Sequence, residues 1–106
     1  MVRYPARLTK DGSNIFVTFS DVPEAITFGK NEKEALENAV DVLVTGLSFY
    51  VDARKALPEP SKVNRGQKMI SLSPLESAKL RAYQAIIDKA SERLDSKFPL
   101  NNFSKN

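Results

Sequence analysis

The stretch from residue 32 to residue 52 constrains the fold most, because its large apolar residues recur with the period of an α-helix. Spacings of four and three alternate along one stripe, which is Leu36, Val40, Leu43, Leu47 and Tyr50. Asn31 stands where a helix N-cap belongs, and Glu34 follows three residues later, as is typical of a helix start. We therefore predict a helix over residues 32–52 that packs this stripe against a small sheet.

Three short strands are predicted ahead of this helix. Residues 2–9 alternate apolar and polar side chains, the period of a half-buried strand. Asp11 and Gly12 form a turn signal, and the β-branched and aromatic run at 15–19 completes a hairpin. Residues 25–29 alternate again and give the third strand. The first 30 residues are therefore predicted to form an antiparallel sheet.

Two prolines and a glycine punctuate these strands. Pro5 has no backbone donor, which places it on an edge, at a bulge, or with its nitrogen turned away from the ladder. Pro23 keeps Val22 extended and forces a turn between the second and third strands. Gly29 ends the third strand before the helix begins. None of these residues requires a catalytic explanation.

The second half of the chain adds a linker, a strand and a helix. Residues 53–67 hold two prolines, a charge run and a glycine, which favours an exposed extended connection. Residues 68–73 have the pattern of a fourth strand, and Ser73 with Glu76 forms a capping box for a helix running to about residue 95. We predict an α+β fold of order β-β-β-α-β, with a three-stranded antiparallel sheet, a long helix, a fourth strand and a C-terminal helix.

Composition narrows the possible functions. With 106 residues, 42% of them hydrophobic and 27% charged, the chain fits one ordinary globular domain. It contains no cysteine and no histidine, which excludes disulfides, thiolate metal sites and Ser/His or Cys/His catalysis. No run approaches the roughly 18 apolar residues of a membrane span. We expect a cytoplasmic protein that is not an enzyme and uses no cofactor or metal.

Charge is divided unequally between the two halves. Residues 1–52 hold five Lys and Arg against eight Asp and Glu, and residues 53–106 hold eleven against five. The halves therefore carry −3 and +6, which make up the net charge of +3. Such asymmetry suggests two surfaces with different partners, and two ordinary solvated faces explain it equally well.

Four segments together resemble the HicB family of antitoxins over residues 1 to about 72. They are "YPA" in the first strand, "FSDVPEAITFG" around the second turn, "EALENA" in the helix and "LPEPS" in the linker. The resemblance implies a small domain with a partial RNase H-like fold that binds and silences a HicA toxin. The toxin is implied to be a small basic ribonuclease of a type II toxin–antitoxin system, so this chain is expected to be its inhibitor.

The end of the chain departs from that family. Members commonly continue into a helix-turn-helix or ribbon-helix-helix domain that binds operator DNA. Here the segment "MISLSPLESAKLRAYQAIIDKASERL" is similar to the strand and first helix of such an extension, but only about a dozen residues follow Leu94. They show no second helix pattern, which either motif would require. We expect the chain to lack operator binding or to be a truncated relative.

An acidic surface is the predicted contact with the toxin. The candidate residues are Asp21, Pro23, Glu24, Glu34, Glu37 and Asp41. Opposite potentials would steer a basic toxin to this surface and orient it. Helix solubility and dipole complementarity explain the same acids equally well. A metal-dependent nuclease, the other interpretation of these acids, is not favoured because their spacing does not make them converge.

Residues 74–106 are predicted to form a separate helix and tail that promotes oligomerisation, beside an antitoxin domain over residues 1–73. The candidate contacts are Leu80, Tyr83, Ile87 and Leu94. A second apolar line runs beside the first and comprises Leu75, Ala78, Ala82 and Ile86. Together the two lines form a wider apolar face than a lone surface helix needs. A homodimer or a tetramer is expected.

The alternative function is a dimeric, nucleic-acid-binding transcriptional regulator that uses the basic second half. Its candidate phosphate contacts are Arg65, Lys68, Lys79 and Arg81. Their scattered spacing favours a solvated face over an array that follows a groove. Phe16 is out of phase with Ile15 and Val17, and one explanation is that it faces an exposed base-stacking surface. A partner or second subunit that covers it is the simpler explanation.

Overall fold

The computed structural model describes residues 2–97, with side chains described as far as residue 90. The elements are strands β1 (Arg3–Asp11), β2 (Asn14–Thr18) and β3 (Ile26–Gly29), helix α1 (Glu32–Asp52), strand β4 (Gln67–Ser71) and helix α2 (Pro74–Lys97). The predicted α+β class and element order are confirmed, and α1 has the predicted bounds. The tail was predicted over residues 96–106. Helix α2 continues to Lys97, and the rest of the predicted tail, residues 98–106, lies outside the described residues.

All four strands form one antiparallel sheet in the order β3-β2-β1-β4. Side chains of directly paired residues point to the same face, so the register assigns each residue to a face. Tyr4 pairs with Ile70, and Leu8 pairs with Val17, on the inner face that α1 covers. The opposite face is called the outer sheet face below. It carries the odd-numbered residues of β1 and β4 and the even-numbered residues of β2 and β3. The protein is therefore built of two layers, one sheet and one helix.

Pro5 lies on β1 opposite Met69 of β4, beyond the last pairing of β1 with β2. The N–H of Leu72 donates to the carbonyl of Val2 at 2.9 Å, which sets the alternation of hydrogen-bonded pairs between β1 and β4. By that alternation the nitrogen of Pro5 points away from β4. The missing donor therefore costs the sheet no ladder hydrogen bond, as one of the three sequence predictions proposed.

The buried face of α1 is rotated from the predicted stripe toward small residues. The residues of α1 that are buried are Ala35, Ala39, Leu43, Gly46 and Leu47. Leu36, Val40 and Tyr50, which were predicted to face the core, are only partly buried at its margin. A Cβ added at Gly46 would lie 3.1 Å from Val22 and 3.3 Å from Ala25. Small residues occupy several of the buried positions of α1, because they let the helix backbone approach the sheet closely.

Helix α2 is held by its first turns. Ser73 caps it, accepting a hydrogen bond from the N–H of Glu76 at 3.1 Å, as the capping box predicts. The hydroxyl of Ser77 is buried and accepts a hydrogen bond from the N–H of Val2 at 2.9 Å. Leu80 is buried in the core of its own chain. The start of α2 is therefore fixed to the start of β1.

Gly29 is the tightest point between the sheet and α1. A Cβ at this position would lie 2.7 Å from Cα of Ala35, a backbone atom that cannot turn aside. We expect Gly29→Ala to lower the free energy of unfolding by about 2 kcal/mol or more, since overpacking forces the backbone to shift. Chemical denaturation measures this loss.

Gly12→Asn is the matched control for that substitution. No atom lies within 4 Å of a Cβ at Gly12, whose φ is +64°, and asparagine tolerates this left-handed backbone better than most residues. We expect a loss below about 1 kcal/mol. Equal losses in the two variants would contradict the close approach of α1.

Candidate interaction surface

Three of the sequence segments that carried the family resemblance meet near the C-terminal end of α1. The hydroxyl of Tyr4 in β1 donates to the carbonyl of Pro58 in the linker at 2.7 Å. The carboxylate of Asp21, in the turn between β2 and β3, accepts from the N–H of Ser61 at 2.8 Å and from its hydroxyl at 2.6 Å. The linker predicted to be merely exposed is thus tied to the sheet at two points.

Tyr4 is almost fully buried at this junction. Burial first, and then the negative charges of Asp21 and Glu59, raise its pKa to about 12. The phenol therefore stays protonated and keeps donating its hydrogen bond to Pro58 at physiological pH. Glu59 belongs to the acidic surroundings of the junction, although it was not among the predicted site residues.

Glu24 and Tyr50 join the turn to the last part of α1. The Tyr50 hydroxyl donates to the Glu24 carboxylate, at 3.2 Å and 3.4 Å to its two oxygens. Desolvation, and then this hydrogen bond, raise the pKa of Tyr50. Glu24 and Pro23 are both exposed. This corner of the molecule therefore presents an acid that is held in place by an aromatic residue.

Glu34 serves the start of α1 rather than the surface. Its side chain accepts a hydrogen bond from the N–H of Lys30 at 2.6 Å, and its own N–H donates to the side chain of Asn31 at 2.8 Å. These bonds satisfy backbone donors that a helix N-terminus leaves open. Glu34 and Asp21 are thus engaged within their own chain.

An exposed ridge runs along the side of α1 that faces away from the sheet. It comprises Glu37, Asp41, Thr45 and Phe49, each four residues from the next, and is called the outer ridge below. The ridge spans about 18 Å at 1.5 Å per residue. Glu37 and Asp41 form no hydrogen bond or ion pair through their side chains with the part of the chain that the structure describes. Phe49 is 54% exposed.

The six predicted toxin contacts therefore fall into two groups. Asp21, Pro23 and Glu24 lie at the C-terminal end of α1, beside Tyr50. Asp41 and Glu37 lie about 14 Å and about 20 Å from Tyr50 along the helix axis, and Glu34 lies about one turn further. The structure does not bring the six residues into one cluster. Phe49 lies between the two groups, because it precedes Tyr50 in sequence and lies on the same line of the helix as Glu37 and Asp41. Phe49 was not among the predicted contacts, although its spacing of four residues from Thr45 and eight from Asp41 was a signal for the same helix face.

The basic residues of the alternative function do not converge. Lys68 forms an ion pair with Glu32, with a Nζ–Oε2 distance of 3.1 Å. Arg65 lies in the turn before β4, and Lys79 and Arg81 are exposed on α2. These positions form no continuous track for a phosphate backbone.

Neither a metal-binding cluster nor a membrane-spanning helix is found in the described part of the chain. Over residues 2–90, no group of three or more Asp and Glu is placed to share a metal ion. In the same range, no helix combines the length and apolar character needed to cross a membrane.

Comparison with known proteins gives consistent matches. A family model of HicB-like antitoxins of bacterial toxin–antitoxin systems matches residues 3–81. Antitoxin HicB 2 of Photorhabdus laumondii is 37% identical over 79 residues, which cover 74% of this chain and 55% of that protein. Antitoxin HicB of Escherichia coli is 38% identical over 78 residues, covering 73% of this chain and 56% of that protein. The chain thus spans little more than half the length of these curated relatives.

A solved structure supports the fold. One chain of a HicA3 and HicB3 toxin–antitoxin complex matches with a TM-score of 0.58, over 69% of this chain and 100% of that chain. The sequence identity is 15%, so this likeness bears on the fold alone.

The raised pKa of Tyr4 makes stability depend on pH in a defined window. The folded state holds the phenolic proton of Tyr4 more strongly than the unfolded chain does. The contribution of this protonated phenol to the free energy of unfolding is therefore fully present below about pH 10 and is lost as the pH rises to about 12. We expect the difference in unfolding free energy between the wild type and Tyr4→Phe to change across this window. Denaturation at a series of pH values measures it, and a constant difference would contradict the burial of Tyr4.

Proposed function

This chain belongs to the HicB-like family of bacterial antitoxins, and on that premise we propose that it binds and blocks a HicA-like, mRNA-cleaving ribonuclease toxin. The protein acts in this proposal by covering the working surface of another macromolecule. It carries no histidine or cysteine of its own for nucleophilic or imidazole chemistry. A non-enzymatic role in the cytoplasm is consistent with this composition.

The outer ridge of α1 is the surface that we assign to the toxin. Glu37 and Asp41 offer two exposed carboxylates on one line of the helix, which suit a basic partner. Phe49 adds a large exposed aromatic side chain, the residue class that anchors interface centres. The exposed carboxylates raise the rate at which the toxin associates and orient it, and burial of the aromatic ring slows its dissociation. The single observation that carries the assignment is this combination on one rigid helix.

Glu24 and Pro23 extend the same surface at its C-terminal end. Tyr50 follows Phe49 in sequence and holds the Glu24 carboxylate, so the acid lies beside the aromatic end of the ridge. Asp21 and Glu34 act differently in this proposal. Their hydrogen bonds fix the linker and the helix start, so they position the surface without contacting the toxin.

Charge reversal on the ridge tests the proposal. We expect Glu37→Lys combined with Asp41→Lys to weaken binding of the toxin encoded beside this gene at least tenfold, mainly through slower association. The loss should shrink as salt screens the charges. Surface plasmon resonance at two ionic strengths measures both rates, and growth of cells that co-express the toxin measures protection.

Asp11→Lys combined with Asp88→Lys is the matched control. It makes the same change in net charge on the hairpin and on α2, both exposed and outside the ridge. We expect toxin binding close to that of the wild type. If the two double variants lose equal affinity, only net charge matters and the assignment to the ridge is wrong. If the wild type gives no protection at all, the antitoxin function itself is wrong.

We also propose that α2 joins two copies of the chain, through a different line of residues than the sequence suggested. Leu80 is buried in its own chain, and the hydroxyl of Tyr83 donates to the carbonyls of Tyr50 and Lys55. Ile87 lies partly buried on the same side, and the side chain of Leu94 lies outside the described residues. Most of the predicted contacts therefore serve the fold of one protomer.

The second apolar line of α2 is the better surface for a partner. Leu75 and Ile86 are 64% and 67% exposed, and Ala78 and Ala82 lie between them. The order of large, small, small and large side chains is the same when the helix is followed from either end, so two copies can pair in antiparallel orientation. An antiparallel pair of helices would place Leu75 against Ile86 of the partner subunit, with the alanines allowing close approach.

We expect Leu75→Glu combined with Ile86→Glu to convert a dimer to a monomer, because two carboxylates would be buried in the contact. Light scattering coupled to gel filtration measures the mass. Val63→Glu is the control, since Val63 is a comparably exposed apolar residue of the linker. A monomeric wild type at micromolar concentration would refute the pairing.

A further inference from the structure

The outer sheet face is the side of the sheet opposite α1, and its composition is unusual for an exposed face. By register it carries the odd-numbered residues of β1 and the even-numbered residues of β2 and β3. On β3, at one edge of the sheet, Ile26 is 59% exposed and Phe28 is 50% exposed. Met69 lies on β4 at the opposite edge, where it lines a cavity with Leu80 of α2 and is not part of this apolar patch. Contiguous exposed apolar residues on a soluble domain generally mark a binding site.

Two aromatic rings lie side by side on this face. Phe16 and Phe28 are directly paired across β2 and β3, and their rings stack with centroids 5.5 Å apart and planes inclined by 29°. Half of Phe28 remains open to solvent. The pair thus provides a flat apolar surface that is held rigidly by a strand ladder, and it explains why Phe16 breaks the phase of the inner-face residues.

Exposed arginines accompany these rings. Arg3 and Arg7 project from β1 onto the same face. Arg7 is paired with Thr18, which makes Arg7 a diagonal neighbour of Phe16 across β1 and β2. The Arg7 guanidinium extends toward the turn before β4, where a Cβ on Gly66 would lie 3.9 Å from its Nη1. The acid on this face of β1 is Asp11, at the hairpin end. The face is therefore aromatic on one side and basic on the other.

This combination selects among possible occupants. A basic toxin would meet like charge at Arg3 and Arg7. A second copy related by a two-fold axis would bring its own two arginines to the same interface. Single-stranded nucleic acid suits both parts, because its bases stack on aromatic rings and its phosphates pair with arginine. Open four-stranded antiparallel sheets bind single-stranded RNA in this way in other proteins.

We propose that the outer sheet face binds single-stranded RNA, with a base stacked on Phe28 beside Phe16 and phosphates contacted by Arg7 and Arg3. The choice of RNA over DNA rests on the proposed function, since RNA is the substrate of the proposed toxin partner. The outer ridge points away from the sheet, so the two surfaces lie on opposite sides of the molecule. RNA and toxin can therefore occupy the protein together.

Fluorescence anisotropy of a labelled oligouridylate with the full chain tests the proposal without the toxin. We expect binding at low ionic strength that weakens steeply as salt is added. Phe28→Ala should weaken binding about tenfold or more. Arg7→Gln should weaken it and lower the slope of log affinity against log salt by about one unit. Both residues are exposed, so neither change should unfold the protein, and circular dichroism checks this.

Two matched variants control for aromatic content and charge. Phe49→Ala removes an aromatic ring of similar exposure from the outer ridge, and Lys79→Gln removes one positive charge from α2. Each should leave RNA affinity within about twofold of the wild type. Conversely, Phe28→Ala should leave toxin affinity unchanged, which separates failure of this site from failure of the antitoxin function.

Several results would overturn the proposal. Absence of RNA binding at low salt would do so, as would equal losses in Phe28→Ala and Phe49→Ala. A loss in Lys79→Gln that exceeds the loss in Arg7→Gln would move the phosphate contacts to α2. Tighter binding of oligothymidylate than of oligouridylate would overturn the assignment to RNA. A change of oligomeric mass in Phe28→Ala, without RNA binding by the wild type, would assign the face to a second copy.

Discussion

The close approach of α1 to the sheet is the constraint on which the rest of this structure depends. Gly29, Ala35 and Gly46 leave no room for a larger side chain between the two layers. This contact buries one face of α1 and one face of the sheet, and it fixes how far the helix is rotated about its axis. That rotation decides which acids reach solvent. A helix rotated to bury Leu36 and Val40 fully would present a different outer ridge.

A second set of contacts ties the linker to this two-layer body. Tyr4 binds Pro58, Asp21 binds Ser61, and the N–H of Leu57 donates to the side chain of Gln84 at 2.7 Å. A chain of charged and proline-rich residues would otherwise be free to move, since few of its side chains are buried. These hydrogen bonds place Glu59 at the C-terminal corner of α1. They also explain physically why the recognisable sequence segments of the first strand, the turn and the linker occur together.

The two layers present surfaces of opposite chemical character. The outer ridge of α1 combines carboxylates with Phe49, and the outer sheet face combines arginines with Phe16 and Phe28. The division of charge seen along the sequence is therefore not the division that matters in space, because Arg3 and Arg7 belong to the acidic half of the chain. In the two proposals, the outer ridge binds the toxin and the outer sheet face binds RNA, so each surface has its own partner.

Local sequence patterns determined the elements and their order, because turns, caps and hydrophobic periodicity act over a few neighbouring residues. The bounds of α1, the hairpin at Gly12 and the capping of α2 by Ser73 all follow from such signals. The family was indicated separately, by the resemblance of four short segments to known antitoxins. Tertiary structure alone decided which of the predicted residues work together. Tertiary contacts engage Asp21 in hydrogen bonds with Ser61, turn Leu80 and Tyr83 toward their own chain, and bring Phe16 against Phe28. Those outcomes depend on helix rotation and strand register, which are set by packing between residues far apart in the chain.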